Sequence, residues 1–352
     1  MPQTFNTPAD LLNHGFDTVI DVRSPAEFAE DHIPGAINLP VLDNEERARV
    51  GTLYKQVSPF TARKLGAALV FRNAAAHVEG PLAHHEGDWR PLVYCWRGGQ
   101  RSGSFAWMLG QIGWRSDTIA GGYQTYRRLV YRALYEAPIA QRVILLDGFT
   151  GTAKTEVLHR VATLGAQVLD LEGLANHRGS LLGRMGDQPS QKAFESDIAC
   201  ALARMDPARP VLVEAESNKV GARIVPPSLW KAMCAAPRIE VTATLEARSA
   251  YLLQAYADVL TDGDRLRENL TPLRHFRGHE VVDRWFALIE AGDKPGLTRA
   301  LMEDHYDPAY SKSRTSIGAA CMAEVDAGAL DGPALDRAAQ AVLRIMDQTI
   351  ET

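Results

Sequence analysis

Cysteine is scarce in this chain: four residues in 352, at Cys95, Cys200, Cys234 and Cys321, with no CxxC pair among them. That spacing argues against a zinc knuckle or a disulfide framework and suits a reducing cytoplasm, so no bound metal is expected from it. Long apolar runs are missing too; none approaches the ~20 residues that a membrane span needs. The first residues, MPQTFNTPADLLNHGF, hold no basic stretch followed by an apolar one, so a secretory leader is not expected. Nor is there a large charge of either sign. The formal net charge is −5, and 46% hydrophobic with 23% charged residues is a globular composition. Such a balance does not announce nucleic-acid binding, although a local basic patch would suffice for it. The expectation is a cytoplasmic α/β protein, without membrane association, and long enough for two domains.

Short β-runs alternate with helical stretches over residues 1–137: strands at 18–22, 36–39 and 92–94, and a helix over about 102–112. This alternation predicts a mostly parallel sheet with helices on both faces. The stretch 73–90 contains Gly80-Pro81, His84-His85 and Gly87-Asp88, and it reads as a surface loop. A second start follows Pro138. Strands are expected at 142–147, 167–171, 210–214 and 239–245, a helix at 154–164, and mostly helix from Arg248 to the end. The domains predicted are therefore 1–137 and 138–352.

The segment Leu92-Val93-Tyr94-Cys95-Trp96-Arg97-Gly98-Gly99-Gln100-Arg101-Ser102 is the most informative in the first half. A buried strand delivers a cysteine, and a glycine-containing loop then enters a helix. Amide N–H groups of such a loop converge on one point, and the helix dipole adds positive potential there. Both effects favour a thiolate and hold an anion above it. Gly98 and Gly99 permit the positive φ of a tight cradle, and Arg97 and Arg101 bring guanidinium donors. Cys95 is the expected nucleophile, and Trp96, Arg97, Gly98, Gly99, Gln100, Arg101 and Ser102 form the expected anion loop.

In the second half, Leu145-Leu146-Asp147-Gly148-Phe149-Thr150-Gly151-Thr152-Ala153-Lys154-Thr155 gives strand, loop and helix in the order of a P-loop. Gly148, Thr150, Gly151, Thr152, Lys154 and Thr155 are the expected diphosphate-binding residues. Lys154 would neutralise phosphate oxygens, and the Thr155 hydroxyl would ligate a magnesium ion. Ala153 departs from the glycine of G-x4-G-K-[ST]; its methyl group fits if φ is negative. Val211–Ser217 reads as the facing strand, with Glu214 and Glu216 on one face of it. Glu172, His177 and Arg178, in Leu171-Glu172-Gly173-Leu174-Ala175-Asn176-His177-Arg178-Gly179-Ser180, are further binding candidates.

Ile20-Asp21-Val22-Arg23-Ser24-Pro25-Ala26-Glu27-Phe28 followed by His32-Ile33-Pro34-Gly35-Ala36 resembles the opening signature of rhodanese domains, with Asp31 where that family more often has glycine. Together with the C-W-R-G-G-x-R-S loop, the G-x-T-G-x-x-K-T loop, L-E-G-L-A-N-H-R-G-S, E-x-E-S, Gln188-Pro189-Ser190-Gln191-Lys192 and His305-Tyr306-Asp307-Pro308-x-Tyr310, the chain resembles the bacterial tRNA 2-selenouridine synthases. The resemblance implies an α/β protein with an N-terminal rhodanese-like domain and a C-terminal P-loop NTPase-like domain with a helical C-terminal part. It implies a transferase acting on 2-thiouridine at the wobble position (U34) of tRNA, without a tightly bound cofactor. Geranyl diphosphate would first alkylate the sulfur; selenium from selenophosphate, supplied by a selenophosphate synthetase, would then be delivered through Cys95. A prenyl chain has Tyr251, Leu252, Trp285 and Phe286 as candidate neighbours, unless these are core. Arg127, Arg128, Arg274 and Arg277 are the candidate tRNA contacts. A rhodanese-type sulfurtransferase, although such enzymes usually have one residue fewer than this C-x5-R, and a cysteine phosphatase, which the C-x5-R spacing fits, remain open, each with a separate P-loop function. A non-enzymatic RNA-binding role remains a further alternative.

Overall fold

The computed structural model describes residues 2–179, 183, 185–316 and 320–349. Ser180 of the histidine–arginine motif lies outside them. The chain forms two compact units, one of Met1–Ala137 with Pro189–Arg204, the other of Pro138–Gln188 with Met205–Thr352.

In the first unit β1 (Thr18–Asp21), β2 (Ile37–Asn38), β3 (Pro91–Tyr94) and β4 (Asp117–Thr118) form a parallel sheet in the order β2-β1-β3-β4. β3 is buried at every position, as a central strand covered on both faces must be. Its core gathers Ile20, Val22, Val41, Leu69, Val93 and Phe105. The stretch 73–90 is not a loop throughout: helix Pro59–Glu79 runs through its first third. Ala74 faces the core, and Ser58 caps the helix start by accepting from the Thr61 N–H at 3.4 Å.

In the second unit β5 (Val143–Asp147), β6 (Gln167–Leu169), β7 (Val211–Glu214), the hairpin of β8 (Lys219–Val220) and β9 (Arg223–Ile224), β10 (Arg238–Thr242) and β11 (Cys321–Asp326) are the strands described. The main sheet is parallel, in the order β11-β10-β5-β7-β6. β5 is buried along its whole length. It sits between β10 and β7, so its C-terminal end opens at the middle of the sheet, where α/β proteins bind ligands. β11 falls inside the stretch expected to be helical after Arg248. The helix Gly332–Gln348 follows it and buries Leu335, Ala338, Ala339, Val342 and Met346 in the sheet's core.

The chain does break between Ala137 and Pro138, but Pro189–Arg204 packs with the first unit rather than within 138–352. The reason is visible in its bonds. In helix Gln191–Arg204, Glu195 accepts from the Tyr135 hydroxyl at 2.7 Å and pairs with Arg127, while Lys192 donates to Glu30 at 2.6 Å.

A separate helical cluster in the second unit centres on Trp285, fully buried among Val259, Leu266, Leu270, Leu297 and Leu301. Its indole N–H donates to Asp304 at 3.0 Å. Trp285→Ala should therefore lower stability by about 3–5 kcal/mol. Urea unfolding of the full chain followed by circular dichroism measures this, and a loss below about 1 kcal/mol would contradict the packing described.

Candidate active sites

Cys95 follows β3 directly and is 2% exposed. The next four residues turn through Gly98 and Gly99, at φ +72° and +74°, into helix Gln100–Ile112. Gly99 caps this helix in the left-handed region without any side-chain hydrogen bond, so no side chain competes for the helix's first amides. The Ser102 hydroxyl, on the first turn, donates to the Cys95 sulfur at 3.3 Å.

The loop is held from behind. Tyr123 N–H donates to the Cys95 carbonyl at 2.8 Å, and Gln124 N–H to that of Trp96 at 3.1 Å. A Cβ on Gly122 would sit 2.2 Å from the Cys95 carbonyl oxygen, so this approach requires glycine. The Asp21-Val22-Arg23 signature forms the support. Arg23, 1% exposed, makes a bidentate pair with Asp21, donates to the Asp31 carbonyl at 2.6 Å, and lies 3.9 Å over the Tyr123 ring. Asp31 accepts the Tyr123 hydroxyl at 2.7 Å, which a glycine in its place would leave unpaired.

Arg97 and Gln100 are exposed beside the loop, and Trp96 is half-buried against Tyr123. Arg101 is paired with Glu27 at 3.1 Å. Burial alone would raise the Glu27 carboxyl; Arg101, the Ser24 amide and Arg47 outweigh it and hold the group below its ordinary range.

At the second loop Gly148 has φ +153° and Gly151 φ +87°, and a Cβ on Gly148 would meet the Val241 carbonyl at 2.5 Å. Ala153 caps helix Lys154–Thr163 at φ +57°, ψ +33°, so the loop keeps the left-handed conformation that glycine favours. The expectation of a negative φ is corrected here. The methyl group goes into the core with Val157 and Leu158, which offsets a backbone strain of about 1–2 kcal/mol.

Lys154 donates to the Gly148 carbonyl at 2.7 Å and faces the Tyr310 ring at 5.3 Å. The Thr155 hydroxyl lies 3.0 Å from Glu172 and 2.7 Å from Glu214. Glu216 is past the end of β7, and its N–H donates back to the Glu214 carbonyl at 2.8 Å. The shared strand face expected for Glu214 and Glu216 is thus a turn, which still brings Glu216 into the cavity with Glu172. Burial first, and then the neighbouring carboxylates, push Glu172 and Glu214 up to about 8 and Glu216 up to about 7. One oxygen of Glu214 is buried without a hydrogen-bond partner.

The cavity here is ≈ 580 Å³. Thr150, Gly151, Lys154, Thr155, Glu172, His177, Arg178 and Glu216 line it, so most of the sequence-picked residues of this half converge. Arg178 is held by Asp258 at 3.3 Å, and burial lowers His177 below its ordinary range. The other flank is Tyr251, Leu252, Tyr256 and Tyr306. A smaller apolar recess continues from Thr150 and Leu252 to Leu260, Leu301 and Met302. Trp285, by contrast, is core and lines neither space, while Phe286 packs against that core.

Two residues that the sequence did not single out organise the loop. Arg248, 5% exposed, donates to the Thr150 carbonyl at 2.9 Å and pairs with Asp307 at 2.6 Å. Asp147 accepts from the Gly148 amide and the Tyr310 hydroxyl, both at 2.8 Å. The signal lay in His305-Tyr306-Asp307-Pro308-x-Tyr310, whose aspartate and tyrosine make these contacts.

Among the arginines expected to touch tRNA, only Arg128 is exposed. Arg127 pairs with Glu195 and Arg274 with Asp283, while Arg277 donates to the His305 carbonyl at 2.9 Å. These three have internal partners that the sequence pattern did not reveal. One potential metal-ligand set appears among the described residues, Glu240, Cys321 and Glu324. Its cysteine and one of its glutamates are exposed, and nothing else at that sheet edge points to an ion.

A parallel sheet presenting a cysteine cradle, and a second parallel sheet presenting a P-loop, define a two-domain protein of rhodanese-like and P-loop type. Family comparison agrees in both halves: the rhodanese-like domain matches residues 7–129, and the tRNA 2-selenouridine synthase AAA domain matches residues 141–277. A tRNA 2-selenouridine synthase of Hahella chejuensis is 33% identical over 323 residues, covering 83% of this chain and 84% of its own length. Those of Cupriavidus pinatubonensis and Alcanivorax borkumensis are 32% and 34% identical, each over 83% of this chain and over 87% and 88% of their own lengths. The chain belongs to the tRNA 2-selenouridine synthase family.

The raised carboxyls carry a pH signature. Protons bound by Glu172, Glu214 and Glu216 in the folded state are absent from the unfolded state between its ordinary carboxyl range and about pH 7–8, so stability falls as pH rises through that window. Glu172→Gln should flatten this fall. Melting temperatures of the two proteins from pH 5 to 9 provide the check, and parallel curves would contradict it.

Proposed function

We propose that the protein converts 2-thiouridine at the wobble position of tRNA to 2-selenouridine in two steps, as the family's name and the two sites together suggest. In the first step the thio sulfur attacks the prenyl carbon of geranyl diphosphate, the carbon–oxygen bond breaks, and diphosphate leaves. In the second, the selenium of selenophosphate, itself the product of a selenophosphate synthetase, bonds to C2 of the uridine, geranyl thiolate leaves, and water cleaves the phosphorus–selenium bond to release phosphate. The observation that carries the reading is the P-loop cavity. Its phosphate end, with Lys154 and Thr155, adjoins an aromatic and aliphatic flank that runs on into an apolar recess. A diphosphate ester with an apolar tail fits such a space, and displaced water adds to its affinity.

Lys154 and the loop amides would take up charge on the departing diphosphate, which is where preorganised donors accelerate a reaction most. The Thr155 hydroxyl and the unpartnered Glu214 oxygen form an all-oxygen donor set of the kind magnesium takes. The ion, when bound, would supply further charge neutralisation at the diphosphate. In the other domain Cys95, with the Ser102 hydroxyl at 3.3 Å, is the residue at which selenophosphate is engaged for selenium delivery, and the loop ahead of helix Gln100–Ile112 would hold its phosphate. A reaction on these substrates and on tRNA would belong in the cytoplasm.

Mass spectrometry of tRNA nucleosides after incubation with geranyl diphosphate and selenophosphate tests the division of labour. Cys95→Ser is expected to accumulate S-geranylated uridine with selenation lost, and Lys154→Ala to slow geranylation at least about 100-fold. Full selenation by Cys95→Ser, or ATP consumption stoichiometric with modification, would overturn the reading.

A further inference from the structure

The helices Asn44–Gln56 and Pro59–Glu79 form a hairpin turned at Val57 and Ser58. Between residues 47 and 78 the sequence carries Arg47, Arg49, Lys55, Arg63, Lys64 and Arg72 and no aspartate or glutamate, in a chain whose net charge is −5. Arg47 is spoken for by Glu27 at 3.7 Å. Arg49, Lys55, Arg63, Lys64 and Arg72 are all exposed, and none forms an ion pair among the described residues. Chance interspersion of charge does not make such a segment, and a solvated helix face normally mixes both signs.

Large apolar side chains accompany these cations into solvent. Phe60 is 72% exposed, Val57 68% and Tyr54 54%, all at the turn of the hairpin. Phe71 is exposed further along, edge-on to exposed Trp107 with ring centroids 6.2 Å apart. In the long helix Ala62, Gly66, Leu69, Val70 and Ala74 are buried. On the outer face Phe60, Lys64, Ala67 and Phe71 follow at i, i+4, i+7 and i+11, a single line about 16 Å long. Two aromatic rings with an unpaired lysine between them, flanked by Arg63 and Arg72 on the same exposed helix, match a nucleic-acid strand, with phosphates paired to the cations and unstacked bases laid on the rings.

We infer that this hairpin is a docking surface for the tRNA, taking an unpaired loop of the RNA against Phe60 and Phe71 and its phosphates against Arg63, Lys64 and Arg72. The inference rests on the tRNA reading above and goes beyond it, since none of these residues belongs to either loop. Charge complementarity selects the occupant: a second copy of this chain would set like charges against each other.

The test uses the full chain and the tRNA substrate in two arms. The triple variant Arg63→Glu, Lys64→Glu, Arg72→Glu should bind at least about tenfold more weakly at 100 mM salt, with a log–log salt slope shallower by about two to three. Phe60→Ala should also lose about tenfold, but with the slope unchanged, because it removes stacking rather than counterion release. In turnover the KM for tRNA should rise in both while kcat at saturating tRNA holds. Melting temperatures matching the unsubstituted protein verify the fold, and exposed positions are expected to tolerate these changes. Unchanged affinity in both variants, with the unsubstituted protein binding tRNA, would overturn this inference and leave the function standing. A changed oligomeric state with tRNA affinity intact would overturn it as well. Failure of the unsubstituted protein to bind tRNA at all would overturn the function, and this surface's occupant with it.

Discussion

A buried parallel strand that turns at once into a helix leaves the helix's first amide groups aimed at open space, and both sites depend on that. The turn must reverse the chain within a few residues, which forces positive φ at its last positions. Gly99 and Ala153 both cap their helices in the left-handed region, and neither supplies a side-chain oxygen to the free amides. A serine or aspartate cap would have stabilised each helix by about 1 kcal/mol and closed its end to a ligand. The fold forgoes that stability and keeps two electropositive ends available. One is set beside a thiol, the other beside a lysine.

What surrounds each end differs, and the difference decides the chemistry. Around Cys95 the charges are already paired: Arg23 with Asp21 beneath the loop, Arg101 with Glu27 at its side. The first of these pairs is fully buried and fixes the loop's support, since removing one partner would strand the other charge in a dry interior; the second is partly exposed. Around the P-loop charge is in excess instead. Glu172, Glu214 and Glu216 crowd the Thr155 end, where burial and one another's charge raise their carboxyls. On its other side Arg248 ties the loop to Asp307.

The sequence was most legible where local chemistry and long-range structure ask for the same residues. Leu92–Tyr94 and Leu145–Asp147 are apolar runs bounded by turns, so both central strands and both loops could be placed from spacing alone. It was least legible where a partner lies far along the chain. Arg248 meets Asp307 across 59 positions, and nothing near either residue announces the pair. Glu195 reaches Arg127 across 68 positions, so nothing local announces that helix Gln191–Arg204 packs with the first unit. The alanine-rich helix Pro59–Glu79 hid for another reason: with so many small residues its buried and exposed faces differ little in hydropathy. β11 is largely exposed and pairs with a strand some eighty residues earlier.

Ala153 shows how a departure from a motif should be weighed. The pattern asks for glycine because the backbone there must be left-handed, and the requirement is one of conformation rather than of contact with ligand. Alanine is the smallest residue that pays for that conformation, and its methyl group recovers packing beside Val157 and Leu158 that glycine would forfeit. The cradle's shape is thus kept by a different balance of terms. A β-branched residue would shift that balance, because its second γ-substituent meets the preceding carbonyl in the left-handed region. The departure therefore constrains which side chains the position accepts, and it leaves the direction of the helix's free amides as the motif would have it.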